Sequence, residues 1–205
     1  MIQTCLTSWF KLMPSSEKID KRQHIVATAY ALFKRHGFHA TGIDRIIAEA
    51  DVAKMTMYRH FPGKDGLIVE VLNVRASRFE RQLDRLSNEA ATPERKIATI
   101  FDWYERWFQA ADFHGCLFAH ALAEFADPGH PVFSAVAEQK NGLKLRMQRI
   151  LEDAMPAEQA EAAALALLML LEGATLMAQM GQGEAAIGAA RKAASSLVSR
   201  PAMPQ

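Results

Sequence analysis

Cysteine is scarce: the chain holds two, Cys5 and Cys116, with no CxxC spacing between them. That excludes a disulfide-stapled scaffold and a cysteine-rich zinc module, and it predicts a reducing, cytoplasmic setting. No stretch alternates apolar and polar residues as a half-buried strand would, and no segment repeats. Apolar runs are short as well. The most apolar, Ala162 to Leu171, is about half of the roughly 20 residues that a membrane span needs, so no membrane partner is expected. Charge of one sign is missing, the net being +1. No nucleophile elbow, phosphate loop, H-E-x-x-H pair or paired-carboxylate spacing can be placed, so the chain does not read as an enzyme, and no metal or cofactor is expected.

Helix signals are abundant, in a chain that is 50% hydrophobic and long enough at 205 residues for a real core. Met1 to Met13 is apolar but lacks a basic start and an A-x-A site, so it is no signal peptide. Residues 1–16 are expected to be a flexible leader, or Met13 the true start. Pro14-Ser15-Ser16 opens a helix from about Glu17 to His36 with an Ile25, Ala29, Leu32, Phe33 stripe, and Gly37 ends it. Two short helical patterns follow between Thr41 and His60. Lys64 starts a long helix to about Asn88, and Thr92-Pro93 caps an aromatic helix through Trp107 and Phe108. Further helices are expected over 116–125, 132–155, 157–180 and 184–199. The reading is all-α with about nine helices, in a three-helix head over 17–63 and a helical body over 64–200.

The near-zero net charge conceals a split. Residues 1–64 carry ten Lys/Arg against five Asp/Glu, and the remainder carries fourteen against eighteen. A basic head on an acidic body predicts that the head alone meets polyanions. Within it, Ile43, Ile46, Ile47 and Ala50 form one buried helix face behind a capping-box-like Thr41-Gly42-Ile43-Asp44 start. Lys54 to His60 is a second helix, too short to stand alone. Its outward residues include Lys54, Thr56, Tyr58, Arg59 and His60, donors without a carboxylate among them, as phosphates and base edges require. A cation at the start of a helix, as Lys64 is, costs about 0.3 to 1 kcal/mol in the helix dipole. A phosphate bound there satisfies both the lysine and the amides.

Thr41 to Lys64, followed by Gly66-Leu67, resembles the helix-turn-helix signature of the TetR family of bacterial transcription regulators. Thr41, Ala50, Val52, Thr56, Tyr58, His60, Phe61 and Lys64 match its pattern. Asp51 stands where that pattern has Gly, and Met55 where it has a small residue. Asp51 must then take a left-handed backbone less easily than Gly would, and Met55 offers an apolar contact to a thymine methyl. The physical reading assigns base edges to Lys54, Met55, Tyr58 and Arg45, and phosphates to Thr41, Thr56, His60 and Lys64; the resemblance implies similar roles at the matching positions. Phe61 is expected in the core.

One helix-turn-helix reads too few base pairs, so a homodimer on a palindromic double-stranded operator is expected. The last two helices, with small residues among Leu and Met, are the expected dimer surface. Leu168, Leu171, Thr175 and Leu176 are placed in its four-helix core, weighed against plain intramolecular packing. Trp103, Trp107, Phe118, Met147, Met169 and Glu172, with Cys116 and His120, are the candidate lining of a pocket for a small, largely apolar effector, against a reading of the rings and Met residues as core. The resemblance implies an inducer that shifts the body and separates the heads. Cys116, His120 and Glu124 stand at i, i+4, i+8. A metal or redox constellation is weighed there, but one buried thiol, one hydrogen-bonded imidazole and one surface acid is preferred. The function expected is a DNA-binding transcription regulator, a repressor released by its effector. An architectural DNA-binding protein without an effector is the alternative.

Overall fold

A computed structural model of the chain describes residues 20–199; the leader, Cys5 and the Pro14-Ser15-Ser16 start lie outside the described residues. Among the described residues the regular elements are nine α-helices: α1 (Lys21–His36), α2 (Ile43–Glu49), α3 (Lys54–His60), α4 (Lys64–Asn88), α5 (Pro93–Phe108), α6 (Leu117–Glu124), α7 (Pro131–Glu152), α8 (Ala157–Gln179) and α9 (Gly183–Val198). The chain divides into two compact units, one ending at Leu67 and one beginning at Ile68, with α4 continuous through the division.

In the first unit, α1 is capped by Asp20, whose carboxylate accepts the Arg22 N–H at 3.0 Å. At its other end Gly37 takes φ 80° and donates its N–H to the Phe33 carbonyl. The predicted stripe of Ile25, Ala29, Leu32 and Phe33 is buried and widened by Val26 and Tyr30. Phe33 and Phe38 meet at 4.9 Å between ring centres. α2 closes with two nested bonds, Asp51 N–H to the Ala48 carbonyl and Val52 N–H to the Ile47 carbonyl. That pairing needs a left-handed residue between them. Asp51 supplies it at φ 48°, the one non-glycine at positive φ among the described residues. α3 buries Met57 completely, and Phe61 just after it is buried as expected.

One local expectation is corrected here. Thr41 does not cap α2; the cap position is Gly42, with no side-chain bond. The Thr41 side chain is wholly buried and its hydroxyl donates back to the Gly37 carbonyl at 2.7 Å. A hydroxyl facing the preceding turn satisfies a carbonyl left open by the end of α1, which the α2 amides could not have used.

The second unit is built on α8. α7 and α9 pack along it and α5 packs against α9. The core joins Phe79 and Leu83 of α4 to Phe101 and Tyr104 of α5, Leu143 and Met147 of α7, Leu167 and Leu171 of α8, and Ile187 of α9. Alanines at 160, 163, 164 and 174 of α8 and at 190 and 194 of α9 are buried between these large side chains. Burying a side chain such as Phe101 or Leu171 contributes about 1.5 to 3 kcal/mol each. At α5, the Thr92 hydroxyl accepts the Arg95 N–H at 3.3 Å and Pro93 occupies the first helical turn. Two arginines clamp the edges: Arg146 of α7 bonds Glu80 and Asp84 of α4, and Arg191 of α9 bonds Asp102 and Glu105 of α5.

The apolar length of α8 corrects a second expectation. This helix is long and apolar enough, by length and composition, to cross a membrane, with mean hydropathy 1.6. The helix runs on through Glu172, since glutamate is a good helix former, and its carboxylate pairs with Lys140 at 2.6 Å. Its inner face, including Leu167, Leu171, Ala174 and Ala178, is buried in the body.

Candidate functional site

The head presents its recognition candidates on α3 and the corners beside it. Among its apolar candidates Met55 is 80% exposed and Tyr58 40%, while Met57 between them is wholly buried and anchors the helix. Arg59 is exposed, and Thr56, His60 and Lys64 are half-buried. The outward face of α3 has no carboxylate of its own, but Asp44 of α2 reaches the Lys54 ammonium at 3.4 Å. This pair is open to water, so a phosphate can replace Asp44 at small cost. Arg45 lies exposed on α2 with its guanidinium donating to His36 Nε2 at 3.0 Å. Loss of hydration, then Arg45 and Arg35, draws the His36 imidazolium below its ordinary range. Lys64 donates to the His39 carbonyl at 3.3 Å, which holds it at the start of α4.

These observations bring Arg45, Lys54, Met55, Thr56, Tyr58, His60 and Lys64 onto α2, α3 and the start of α4. Thr41, buried, is not available to a phosphate. Sequence reasoning missed the two partners that pre-position the cations, Asp44 for Lys54 and His36 for Arg45. Each is an inter-element contact, nine or ten residues distant.

The body's expected pocket lining separates into three groups. Met147 is wholly buried core. Met169 points away from the core and is 61% exposed on α8. Trp103 and Trp107 are partly buried in a ring cluster with Tyr104, Phe108 and Phe113; Trp107 meets Phe113 edge-on at 4.9 Å, and the Trp103 indole N–H donates to Gln82 Oε1 at 2.8 Å. A pocket of about 170 Å³ opens beside Phe108, Glu105, Ala178, Gly181 and Glu184, and none of the expected lining residues borders it.

Cys116, Phe118 and Glu172 do converge, around a residue that sequence reasoning did not single out. The Lys140 ammonium of α7 donates to Glu172 Oε1 at 2.6 Å, lies 3.5 Å from Cys116 Sγ and sits 6.0 Å from the Phe118 ring centre. Cys116 is the cap residue of α6 rather than part of the helix, so it does not share a helical face with His120 and Glu124. His120 Nε2 instead takes the Gln179 amide at 2.8 Å, and no metal-holding group of His, Cys, Asp and Glu occurs among the described residues. Gly115 makes that corner possible, at φ 89°. A Cβ there would fall 2.1 Å from the Gln179 side chain.

The expected dimer residues also separate. Leu171 is fully buried, and Thr175 is buried with its hydroxyl on the Leu171 carbonyl at 2.7 Å, so both belong to the subunit's own interior. Leu168 is partly buried against that core, while Leu176 is 60% exposed. Leu176 lies on an outward stripe with Leu165, Met169 and Met180. The helix is apolar on both sides because one side is core and the other is left uncovered.

Comparison with known proteins agrees with both units. A family model described as "Bacterial regulatory proteins, tetR family" matches residues 25–71, and one described as "Tetracyclin repressor-like, C-terminal domain" matches residues 93–194. The chain is similar to the transcriptional regulator YxaF of Bacillus subtilis, 33% identical over 79 residues, a stretch that covers 38% of this chain and 41% of that protein. It is 26% identical to the transcriptional repressor NemR of Escherichia coli over 136 residues, 65% of this chain and 68% of NemR. Among solved structures, SCO4454, a TetR-family transcriptional regulator from Streptomyces coelicolor, superposes with a TM-score of 0.81 at 28% identity, covering 87% of this chain and 94% of that one. The reduced form of E. coli NemR shares the fold, with a TM-score of 0.79 at 22% identity and coverage of 90% and 100%. From the reading head through the helical body, the chain belongs to the TetR family and is a DNA-binding transcription regulator.

Proposed function

We propose that the protein acts as a homodimeric repressor in the cytoplasm, holding a palindromic operator and releasing it when a small, largely apolar molecule enters the body. The observation that carries the reading is α3. It is a short helix anchored from beneath by Met57, with Met55 and Tyr58 outward, Lys54 at its start and Lys64 at the start of α4, the two cations held by weak, replaceable partners. Met55 and Tyr58 are placed to read base edges, with Lys54 and Arg45 beside them. Thr56, His60 and Lys64 are placed to take phosphates. The outward stripe of Leu165, Met169, Leu176 and Met180 supports pairing of two copies through α8 with α9, since a stripe of that kind is ordinarily covered. NemR, similar over two thirds of its length, is itself described as a repressor.

The test is recovery of genomic fragments on the purified protein, followed by titration of the recovered operator complex with small apolar molecules. A two-fold symmetric bound sequence that is released by some of these molecules supports the reading. Binding without sequence preference, unaffected by any of them, favours an architectural DNA-binding protein instead.

A further inference from the structure

Asp44 and Arg45 are neighbours on α2, and each joins that helix to another. Asp44 accepts from the Lys54 ammonium of α3 at 3.4 Å, and the Arg45 guanidinium donates to Nε2 of His36, at the end of α1, at 3.0 Å. The two cations are thus held by different chemistry. A carboxylate partner offsets the charge of its lysine, and a phosphate must displace it before the lysine can act. A neutral imidazole holds the guanidinium through one lone pair and leaves its charge whole. Only Nη2 of Arg45 is engaged among the described residues, so the other N–H groups of the fork stay open to a second acceptor. A guanine edge presents two acceptors, O6 and N7, to such a fork.

The bond fixes the state of the ring. A guanidinium has no lone pair to offer, so Nε2 must accept, which places the ring proton on Nδ1 and requires an uncharged imidazole. The charged groups that face this ring are Arg35 of its own helix and Arg45 and Glu49 of α2. Loss of hydration, then the two arginines, disfavours the imidazolium; Glu49 favours it, and the balance lies below the ordinary histidine value. The neutral, accepting ring is therefore the form present near neutral pH. Protonation turns Nε2 into a donor, so Arg45 loses its acceptor and faces a like charge instead. Glu49 is then the partner within reach. It stands one turn along α2, at i+4 from Arg45, exposed and without an ion-pair partner among the described residues.

We propose that His36 is a positioning residue for operator reading: its neutral ring holds the Arg45 guanidinium toward a base edge, and protonating that ring removes sequence preference at the base pair Arg45 reads while leaving attraction to DNA intact. The proposal rests on the assignment of Arg45 to a base edge made above, and adds how that contact is held and what switches it off. The two parts of the effect have opposite signs. Arg45 gives up a specific contact, whereas the head gains a positive charge that phosphates favour at any sequence. A residue that merely supported the fold would change both kinds of binding together.

The experiment uses the full chain and fluorescence anisotropy at constant salt, with three kinds of duplex: the recovered operator, operators carrying single base-pair changes, and a scrambled duplex of equal length. Arg45→Ala first identifies the base pair at which preference depends on Arg45. Wild type then loses about tenfold of its preference at that pair between about pH 8 and about pH 5, the order of one base-edge contact across the range where histidine titrates, while its affinity for the scrambled duplex holds or rises. His36→Gln, whose amide oxygen accepts at every pH, keeps the preference throughout. His36→Phe, which cannot accept, lacks it already at about pH 8, and an unchanged affinity for the scrambled duplex shows that misfolding is not the cause. His24, His39 and His60 are present in wild type and in His36→Gln alike, so that comparison isolates His36. The proposal is overturned if Arg45→Ala alters preference at no base pair, if the wild-type preference is the same at both ends of the range, if His36→Gln loses it with pH as wild type does, or if His36→Phe discriminates like wild type. Failure of the broader reading is distinguishable, since wild type would then bind operator and scrambled duplex equally at about pH 8.

Discussion

The two units of this molecule differ in where their polar groups stand. In the head, the cations Arg45, Lys54 and Lys64 stand on two short helices and the start of a third, each with a single weak partner: His36, Asp44 and the His39 carbonyl. In the body, the polar groups that converge are partly withdrawn from water and bonded to one another across helices, with Lys140 joining α6, α7 and α8. A surface donor with a weak partner is ready to exchange it for a phosphate, because little desolvation remains to be met. A partly buried ion pair resists exchange, because parting it leaves a desolvated group unpaired. The head is therefore suited to an extended polyanion, and on the proposed reading the body is suited to one small molecule and a second copy of itself.

Substitutions break or sharpen this contrast at several depths. The largest effect is expected in the body core. Leu171→Ala removes a fully buried side chain and costs about 2 to 5 kcal/mol, lowering the melting temperature without altering which operator is preferred. If Leu171 instead belonged to the dimer surface, the loss would appear as weakened self-association with little change in thermal stability at high protein concentration. In the head, Tyr58→Ala costs on the order of 1 to 3 kcal/mol of operator affinity and relaxes preference at the positions it reads, with melting unchanged. Lys64→Ala weakens binding evenly across sequences and flattens the dependence of log affinity on log salt by about one unit, as loss of one phosphate contact requires. Equal salt slopes in wild type and variant would remove Lys64 from the interface.

Two smaller changes separate support from recognition inside the head. Thr41→Val deletes a buried hydroxyl bond to the Gly37 carbonyl and costs about 1 kcal/mol of stability, with no change in the salt dependence of DNA binding. A phosphate contact at Thr41 would show the opposite pattern. Asp51→Gly relieves a left-handed backbone at φ 48° and stabilises the head by about 0.5 to 1 kcal/mol, part of the gain being offset by the greater freedom of glycine in the unfolded chain. Thermal melting of both variants, beside salt titrations of the Thr41 variant, checks these expectations.

What the sequence made legible follows the same division. Thr92-Pro93, Gly37 and the Ile25 to Phe33 stripe work over a turn or two of chain, so their spacing alone locates the ends and faces of helices. The proposed recognition residues, Arg45 to Lys64, fall within 20 positions of one another, so a local pattern contains them. Asp51 was legible too, as a non-glycine placed where the turn demands left-handed backbone. Thr41 was misread because a threonine before a helix has two carbonyl and amide neighbours to choose from, and tertiary packing chose the carbonyl of the previous helix. At Cys116 the preferred buried thiol and hydrogen-bonded His120 hold, while the helix starts one residue later than read, at Leu117, with Cys116 as its cap. Lys140 was invisible: its partners lie 24 residues before it and 32 after it, and no period joins them. On α8 a run of Leu, Met and Ala names an apolar helix without saying which half faces inward, and that is decided by α7 and α9.

The most direct test of the account is the ratio of affinities for the full recovered operator and for a half-site duplex, measured for wild type and for Leu176→Glu. The exposed stripe of α8 is the proposed pairing surface, so a carboxylate at its centre should separate the copies. The account predicts that Leu176→Glu binds the half-site as wild type does and the full operator about 100-fold more weakly, since the second head no longer gains from being tethered to the first. An undiminished preference for the full operator in the variant would contradict it.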